Sequence, residues 1–205
     1  QFDKGPRGRY STDASIYQIE PIGVVIPRHE EDVRRAIDIA AHASVPILPR
    51  GGGTSQCGQT VGEALVIDYS RYMNGIESLD AAKRSVRVQP GIVLDQLNAA
   101  LKAHGLFFPV DVSTSSRATI GGMTGNNSCG ARSIRYGNMV HNVTGIDAIL
   151  ADGQSLKLGP VSGSLDELID EPQYRQLVQR LRGIAGDAAG AMAERWPTLL
   201  RRVGG

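Results

Sequence analysis

The chain has little aromatic content, 5% of 205 residues, and only two cysteines, Cys57 and Cys129. These two lie far apart and form no Cys-x-x-Cys pair, so neither a disulfide framework nor a metal site has support; small packing residues are the expectation. Charge of one sign is also missing. Lys and Arg number 22 against 21 Asp and Glu, a net +1, which gives no electrostatic footprint for a nucleic acid. No run of 18 apolar residues occurs, which excludes a helical membrane span, and Gln1-Phe2-Asp3-Lys4-Gly5 lacks the apolar core of a signal peptide. A cytoplasmic protein is expected. What the chain does have is glycine: 25 of 205 residues, about 12%, against a usual ~7%.

The glycines cluster in two places, which points to close approach of backbone to a ligand. In the first, the strand-like Pro46-Ile47-Leu48-Pro49 breaks into Arg50-Gly51-Gly52-Gly53-Thr54-Ser55. Without Cβ atoms, successive N–H groups can turn into one concavity and bind phosphate oxygens, so a diphosphate-bearing ligand is expected. A dinucleotide-binding G-x-G-x-x-G turn fails, because Gln56 stands where the third glycine belongs. A nucleotide-hydrolase loop, G-x-x-x-x-G-K-[ST], fits Gly53 to Thr60 except that Gln59 replaces the lysine, which argues against hydrolysis. A plain tight turn is the competing reading. The second cluster lies in the stretch from Pro109 to Gly130, where small and polar residues replace any periodicity; such a stretch inside a compact domain is functional or disordered.

Around these clusters the pattern predicts strands at 22–26, 46–49, 65–68 and 85–89, helices near 29–43 and 93–103, and a hairpin over 143–158. Leu94, Leu97 and Leu101 should face inward, and Gly105 should stop their helix. Beyond Gly163 three helical segments are expected, near 164–170, 172–185 and 187–195. Strands and helices without strict alternation indicate α+β architecture: a leading segment 1–15, an N-terminal α/β lobe 16–75 and a second α+β lobe 76–205, with mixed sheets flanked by helices and the ligand cleft between lobes. His29, His42 and His104 fall on helices or their ends and read as surface residues. His141 follows a turn and reads as a solvated loop residue.

Three blocks taken together carry a resemblance. They are Pro49 to Ser55 with Gly58-Gln59; Asp111-Val112-Ser113-Thr114 with Thr119-Ile120-Gly121-Gly122 and Asn126-Asn127-Ser128-Cys129-Gly130; and Arg135-Tyr136-Gly137-Asn138 with Gly145 to Gly153. Over residues 16–160 the chain resembles the FAD-binding domain of the vanillyl-alcohol oxidase and p-cresol methylhydroxylase type. It is similar above all to the branch of D-lactate dehydrogenase, glycolate oxidase and D-2-hydroxyglutarate dehydrogenase, including forms fused to an iron–sulfur domain.

The resemblance implies that Arg50, Gly51, Gly52, Gly53, Thr54 and Ser55 present main-chain N–H groups to the FAD diphosphate, with Gly58 and Gln59 completing that wall. Asp111, Ser113 and Thr114 match a segment near the flavin, although Val112 replaces its proline. Thr119, Gly121, Gly122, Asn127 and Gly130 match the second FAD-lining loop, and Ile146 a position that contacts the adenosine end or is a plain core strand residue. No nucleophile stands at Gly52 or Gly53, so noncovalent FAD is implied, and Cys129 replaces a glycine of many relatives. Relatives continue into a cap domain that supplies substrate-binding arginines and metal or histidine groups. Nothing after residue 160 resembles it, so the chain is expected to be an excised FAD-binding portion, with no catalytic residue or metal ligand assigned. The whole enzyme would pass a hydride from a D-2-hydroxy acid to FAD, giving the 2-keto acid, with electrons leaving to a downstream acceptor. A flavin domain of a cell-wall amino-sugar precursor reductase and a non-catalytic nucleotide-binding module are the alternatives.

Overall fold

The computed structural model describes residues 1–196. Among these, two compact units separate: Gln1–Val143 with Ile149–Gln154, and Thr144–Ala148 with 155–196.

The first unit opens with a short helix, α1 (Lys4–Arg9), and strand β1 (Gly23–Val25). Then α2 (Glu30–His42) begins where the Asp32 carboxylate accepts the N–H groups of Arg28 and His29 at 2.8 and 3.1 Å. Acids at Glu30, Glu31 and Asp32 suit the positive end of the helix. Strands β2 (Ile47–Arg50) and β3 (Leu65–Asp68) follow, and β3 pairs in parallel with β1 on one side and β2 on the other. Being central, β3 is buried along its length; Val66 and Ile67 are 0% exposed. Val33, Ala36, Ile37 and Ala40, four positions on one stripe of α2, pack on Leu65, Ile67 and Met73 to form a first core. Full burial of an aliphatic side chain such as Ile67 stabilises by ~1.5–3 kcal/mol.

A second core forms in the same unit. Strands β4 (Ile76–Asp80) and β5 (Ser85–Val88) pair antiparallel, and α3 (Leu94–Lys102) buries the three leucines that its periodicity marks. Ile92, Val110, Ala118, Ile120, Met123 and Met139 complete this core, with Val86 and Val88 against it. Three short helices carry the chain through the glycine-rich stretch: α4 (Ile120–Gly125), α5 (Ser133–Tyr136) and α6 (Met139–Asn142).

In the second unit, β6 (Ile146–Ile149), whose last residue belongs to the first unit, pairs with β7 (Ser155–Leu158) as a two-stranded sheet. A 3-10 turn at Asp166–Leu168 leads to α7 (Pro172–Arg195). The break expected near residue 186 does not occur. Gly183 and Gly186 meet no neighbour, so α7 runs through them as one helix with only Tyr174 buried. The architecture is mixed α/β, in line with the expected class, although β1, α2 and β2 form a local parallel βαβ arrangement that the sequence pattern did not reveal. No helix of the described residues is long and apolar enough to cross a membrane.

Candidate functional site

The first unit brings the two glycine clusters together. β2 delivers Gly51 and Gly52 against the segment that leads into α4: a Cβ at Gly51 would overlap the Thr119 hydroxyl, and one at Gly52 the Arg117 carbonyl. Further along, Gln59 Nε2 donates to Asn126 Oδ1 at 3.2 Å. Glycine is needed at the base of the loop because another backbone lies in the way. Gly53 and Gly58 have φ of +64° and +72°, conformations that a side chain resists.

Among the described residues, none accepts a hydrogen bond from the N–H groups of Gly52, Gly53, Thr54 or Ser55. Four successive donors without a protein partner, in a glycine-rich turn, suit an anion with several oxygens. Further along, two N–H groups of the loop are bonded within it. Ser55 Oγ donates to Gln59 Oε1 at 2.9 Å and accepts the Cys57 and Gln59 N–H groups at 3.2 and 3.3 Å.

The Arg50 guanidinium lies beside Gly53 and is taken up by carbonyl groups of the protein. It donates to the carbonyls of Tyr10 (3.2 Å), Thr60 (2.9 Å) and Thr12 (2.8 Å) and sits 5.2 Å from the centre of the Tyr10 ring. Burial lowers its pKa, with Asp68 the largest opposing influence. Tyr10 donates its hydroxyl to Asp68 at 2.6 Å, and burial, followed by that bond, pushes its phenol up to about 12.

The second cluster is differently occupied. Thr119, 1% exposed, caps α4 by accepting the Gly122 N–H at 3.3 Å. The Ile120 N–H goes to the Ile92 carbonyl at 2.9 Å and the Gly121 N–H to the Pro90 carbonyl at 2.8 Å. Gly121 is the point of closest approach to Pro90, where a Cβ would lie 2.6 Å from the proline Cβ. The donors at the start of α4 are thus satisfied within the protein, and this segment forms a ledge under the first loop. Gly122 is exposed. Gly130 packs on Asp111, whose carboxylate accepts from Arg132 N and Nε at 3.0 Å each. Burial alone would raise the Asp111 pKa, but the Arg132 bonds outweigh it and hold it below the usual carboxylate range. Asn127, at φ +45°, accepts the Val140 N–H at 3.0 Å. Ser113 and Thr114 lie on an exposed turn whose Thr114 carbonyl accepts the N–H groups of Arg117 and Ala118 at 2.8 Å each. Ile146 belongs to the second unit and is 40% exposed. His141 Nδ1 accepts the Asn138 N–H at 3.0 Å, which occupies that nitrogen within its own turn.

Residues 10–17 were missed as part of this region. The one local signal was Asp13-Ala14-Ser15, an Asx turn in which Asp13 Oδ1 accepts the Ser15 N–H at 2.8 Å. A recess of about 520 Å³ lined by Lys4, Gly8, Ser11, Gln18 and Glu20 does not include the glycine loop. Among the described residues no group of three or more His, Cys, Asp or Glu is placed to hold a metal ion.

A family model described as an FAD binding domain matches residues 21–159, from β1 through both glycine clusters to the end of β7. The chain belongs to this family. Curated relatives include D-2-hydroxyglutarate dehydrogenase of Pantoea ananatis (strain AJ13355), 39% identical over 204 residues, which covers 95% of this chain and 20% of the relative. Glycolate oxidase subunit GlcD of Bacillus subtilis (strain 168) is 36% identical over 162 residues, 77% of this chain and 34% of that protein. The chain therefore spans about a fifth of the length of the hydroxyglutarate dehydrogenase it matches. Among solved structures, an alkyldihydroxyacetonephosphate synthase superposes with a TM-score of 0.70 at 23% identity, over 80% of this chain and 32% of that one, and shows the fold. For this FAD-binding domain the bare donors at Gly52 to Ser55 suit a diphosphate, and the absence of Cβ atoms at Gly51 and Gly52 is what lets the loop close on its ledge. The residues present fit the cofactor.

Proposed function

We propose that the chain is the FAD-binding portion of a flavin-dependent oxidoreductase that converts a D-2-hydroxy acid of the lactate, glycolate or 2-hydroxyglutarate type into the 2-keto acid. The observation that carries this reading is the run of unbonded donors from Gly52 to Ser55, in a loop whose base lies against Arg117 and Thr119, within a chain whose relatives are named as dehydrogenases or an oxidase of such acids. Bound FAD supplies the hydride acceptor. The chain holds and orients it: the N–H groups of Gly52, Gly53, Thr54 and Ser55 take the diphosphate oxygens, and Gly58 and Gln59 wall the loop. Thr119, Gly121 and Gly130 support that wall through the ledge, while Gly122, Ser113 and Thr114 present small surfaces beside it. Asp111 and Asn127 fix the loops that carry Gly130 and Val140, and Ile146 stays a candidate for the adenosine end.

Lobes at 16–75 and 76–205 would hold the cofactor between them, and the presence of two separate apolar cores within residues 1–143 supports a division near residue 75. Noncovalent attachment is supported by glycine at 52 and 53, which offers the flavin no nucleophile. Free thiols at Cys57 and Cys129 suit a cytoplasmic setting. The hydroxy acid would be oriented, and the electrons handed to an acceptor, by parts of the protein beyond these residues.

The test is a titration of the purified chain with FAD, followed by flavin fluorescence, and then anaerobic addition of D-2-hydroxyglutarate, D-lactate or glycolate to the full-length flavoprotein. Quenching on binding and bleaching by one acid are expected. Binding without bleaching by any of them would leave the amino-sugar reductase or a nucleotide-binding module, and no binding at all would overturn the reading.

A further inference from the structure

We propose that residues 10–17, which lie ahead of the stretch matched by the family model, are a positioning part of the cofactor site, holding the loop 51–60 in its anion-accepting shape through Asp13, Arg50 and Tyr17. This rests on the reading of the loop as a diphosphate site. A loop that leaves four donors unbonded has little of its own to fix it, and each residue held in one conformation forfeits ~1–2 kcal/mol of entropy. Something outside must hold it.

The leading segment makes that attachment at both ends of the loop and at its middle. At the start, Arg50 reaches two carbonyls of the segment, Tyr10 and Thr12, and one at the far end of the loop, Thr60. Three acceptors around one group suit the planar, five-donor fork of arginine, which lysine lacks. In the middle, Ala14 N–H donates to the Gly53 carbonyl at 3.1 Å. At the far end, Asp13 Oδ2 accepts the Thr60 N–H at 3.3 Å and its hydroxyl at 2.9 Å, and the Tyr17 ring closes on Gly58, where a Cβ would lie 2.5 Å from the ring. The segment also closes on itself, Ile19 N–H to the Ser11 carbonyl at 2.9 Å.

These contacts are directed at the loop and add nothing to either apolar core, which draw no residue from 10–19. Ile16 faces outward, 94% exposed, and Tyr17, whose ring lies against Gly58, still leaves 52% of its surface to solvent. Loss of Asp13 therefore removes no buried apolar area. It loosens the loop while the cores keep the fold.

The experiment compares Asp13→Ala, Arg50→Lys and, as a control on the same segment, Ile16→Ser in the full chain. Three quantities are read: FAD affinity by fluorescence, the melting temperature without FAD, and amide hydrogen exchange across 51–60. Asp13→Ala is expected to weaken FAD by about tenfold or more, to move the melting temperature by no more than about 3 °C, and to speed exchange at 51–60 but not in β3; Arg50→Lys should do the same and Ile16→Ser none of it. Unchanged affinity and unchanged loop exchange in Asp13→Ala overturn the proposal. So does a loss of affinity that only follows a large drop in melting temperature, which marks a general structural role. If the unaltered chain binds no FAD, the diphosphate reading fails, and the exchange comparison alone decides whether residues 10–17 hold the loop.

Discussion

The two glycine clusters share a composition and differ in what their backbones do. At 51–55 glycine leaves donors bare; at 119–130 it lets segments touch, Gly121 on Pro90 and Gly130 on Asp111, so that the donors of Ile120 and Gly121 find carbonyls nearby. The first is built to receive something and the second to stand firm beneath it. Glycine enrichment alone therefore does not mark a ligand contact; the partner of each N–H decides.

The largest test of this contrast is Gly52→Ala. Its methyl would overlap the Arg117 carbonyl, a backbone atom that cannot step aside, so the loop must lift from its ledge. A fall in FAD affinity of about 100-fold, near 2.7 kcal/mol, is expected in a fluorescence titration. Gly130→Ala should behave differently: overlap with the Asp111 side chain and carbonyl lowers stability by ~1–3 kcal/mol in urea unfolding. The affinity of its folded fraction should stay within about tenfold of the parent. Equal losses of affinity in the two variants would erase the distinction.

Thr119→Val keeps the shape of the buried side chain and removes the acceptor for Gly122 N–H. A loss of ~0.5–2 kcal/mol, as for other helix caps, is expected in the same unfolding experiment. The smallest effect is electrostatic. The Asp111 carboxyl has a lowered pKa in the folded chain, so it binds fewer protons there than when unfolded. Its contribution is complete above its unfolded value and fades as pH falls through the folded one. Asp111→Asn should remove that part of the acid dependence and cost no more than ~1 kcal/mol at neutral pH, because Arg132 is more than half exposed. Tyr10 works in the opposite sense at high pH. Its raised pKa of about 12 means that the folded chain keeps a proton the unfolded chain sheds, so its contribution is lost as pH rises between about 10 and 12.

Much of this was legible beforehand because periodicity reports burial directly. The stripe Val33, Ile37, Ala40 and the leucines 94, 97 and 101 gave α2 and α3 within a residue or two, and the four apolar or capping letters of Leu65 to Asp68 gave β3. Short helices escaped. α4 reads Ile-Gly-Gly-Met-Thr-Gly, with poor intrinsic helix formers, and exists because Thr119 caps it and Ile120 and Met123 are buried. The opposite case is α7, where the pattern predicts separate helices over 172–185 and 187–195 and the chain forms one helix, Pro172–Arg195. β4 was passed over because its burial is slight, with Ile76 itself exposed. In the candidate site, the glycine triplet was readable from its letters, whereas the roles of Tyr10, Asp13 and Arg117 depend on bonds and contacts spanning 40 residues or more, such as Asp13 to Thr60 and Tyr10 to Asp68, which no local pattern encodes.

The ledge has a consequence for the birth of the molecule. Arg117 and Thr119 support a turn made more than sixty positions earlier in the chain, so a ribosome that has released the first parallel sheet has made a loop with no floor. Until the residues of α4 emerge, that turn has its tether to the N-terminus but nothing beneath it. A growing polypeptide thus completes the base of the glycine loop only once Arg117 and Thr119 have been added.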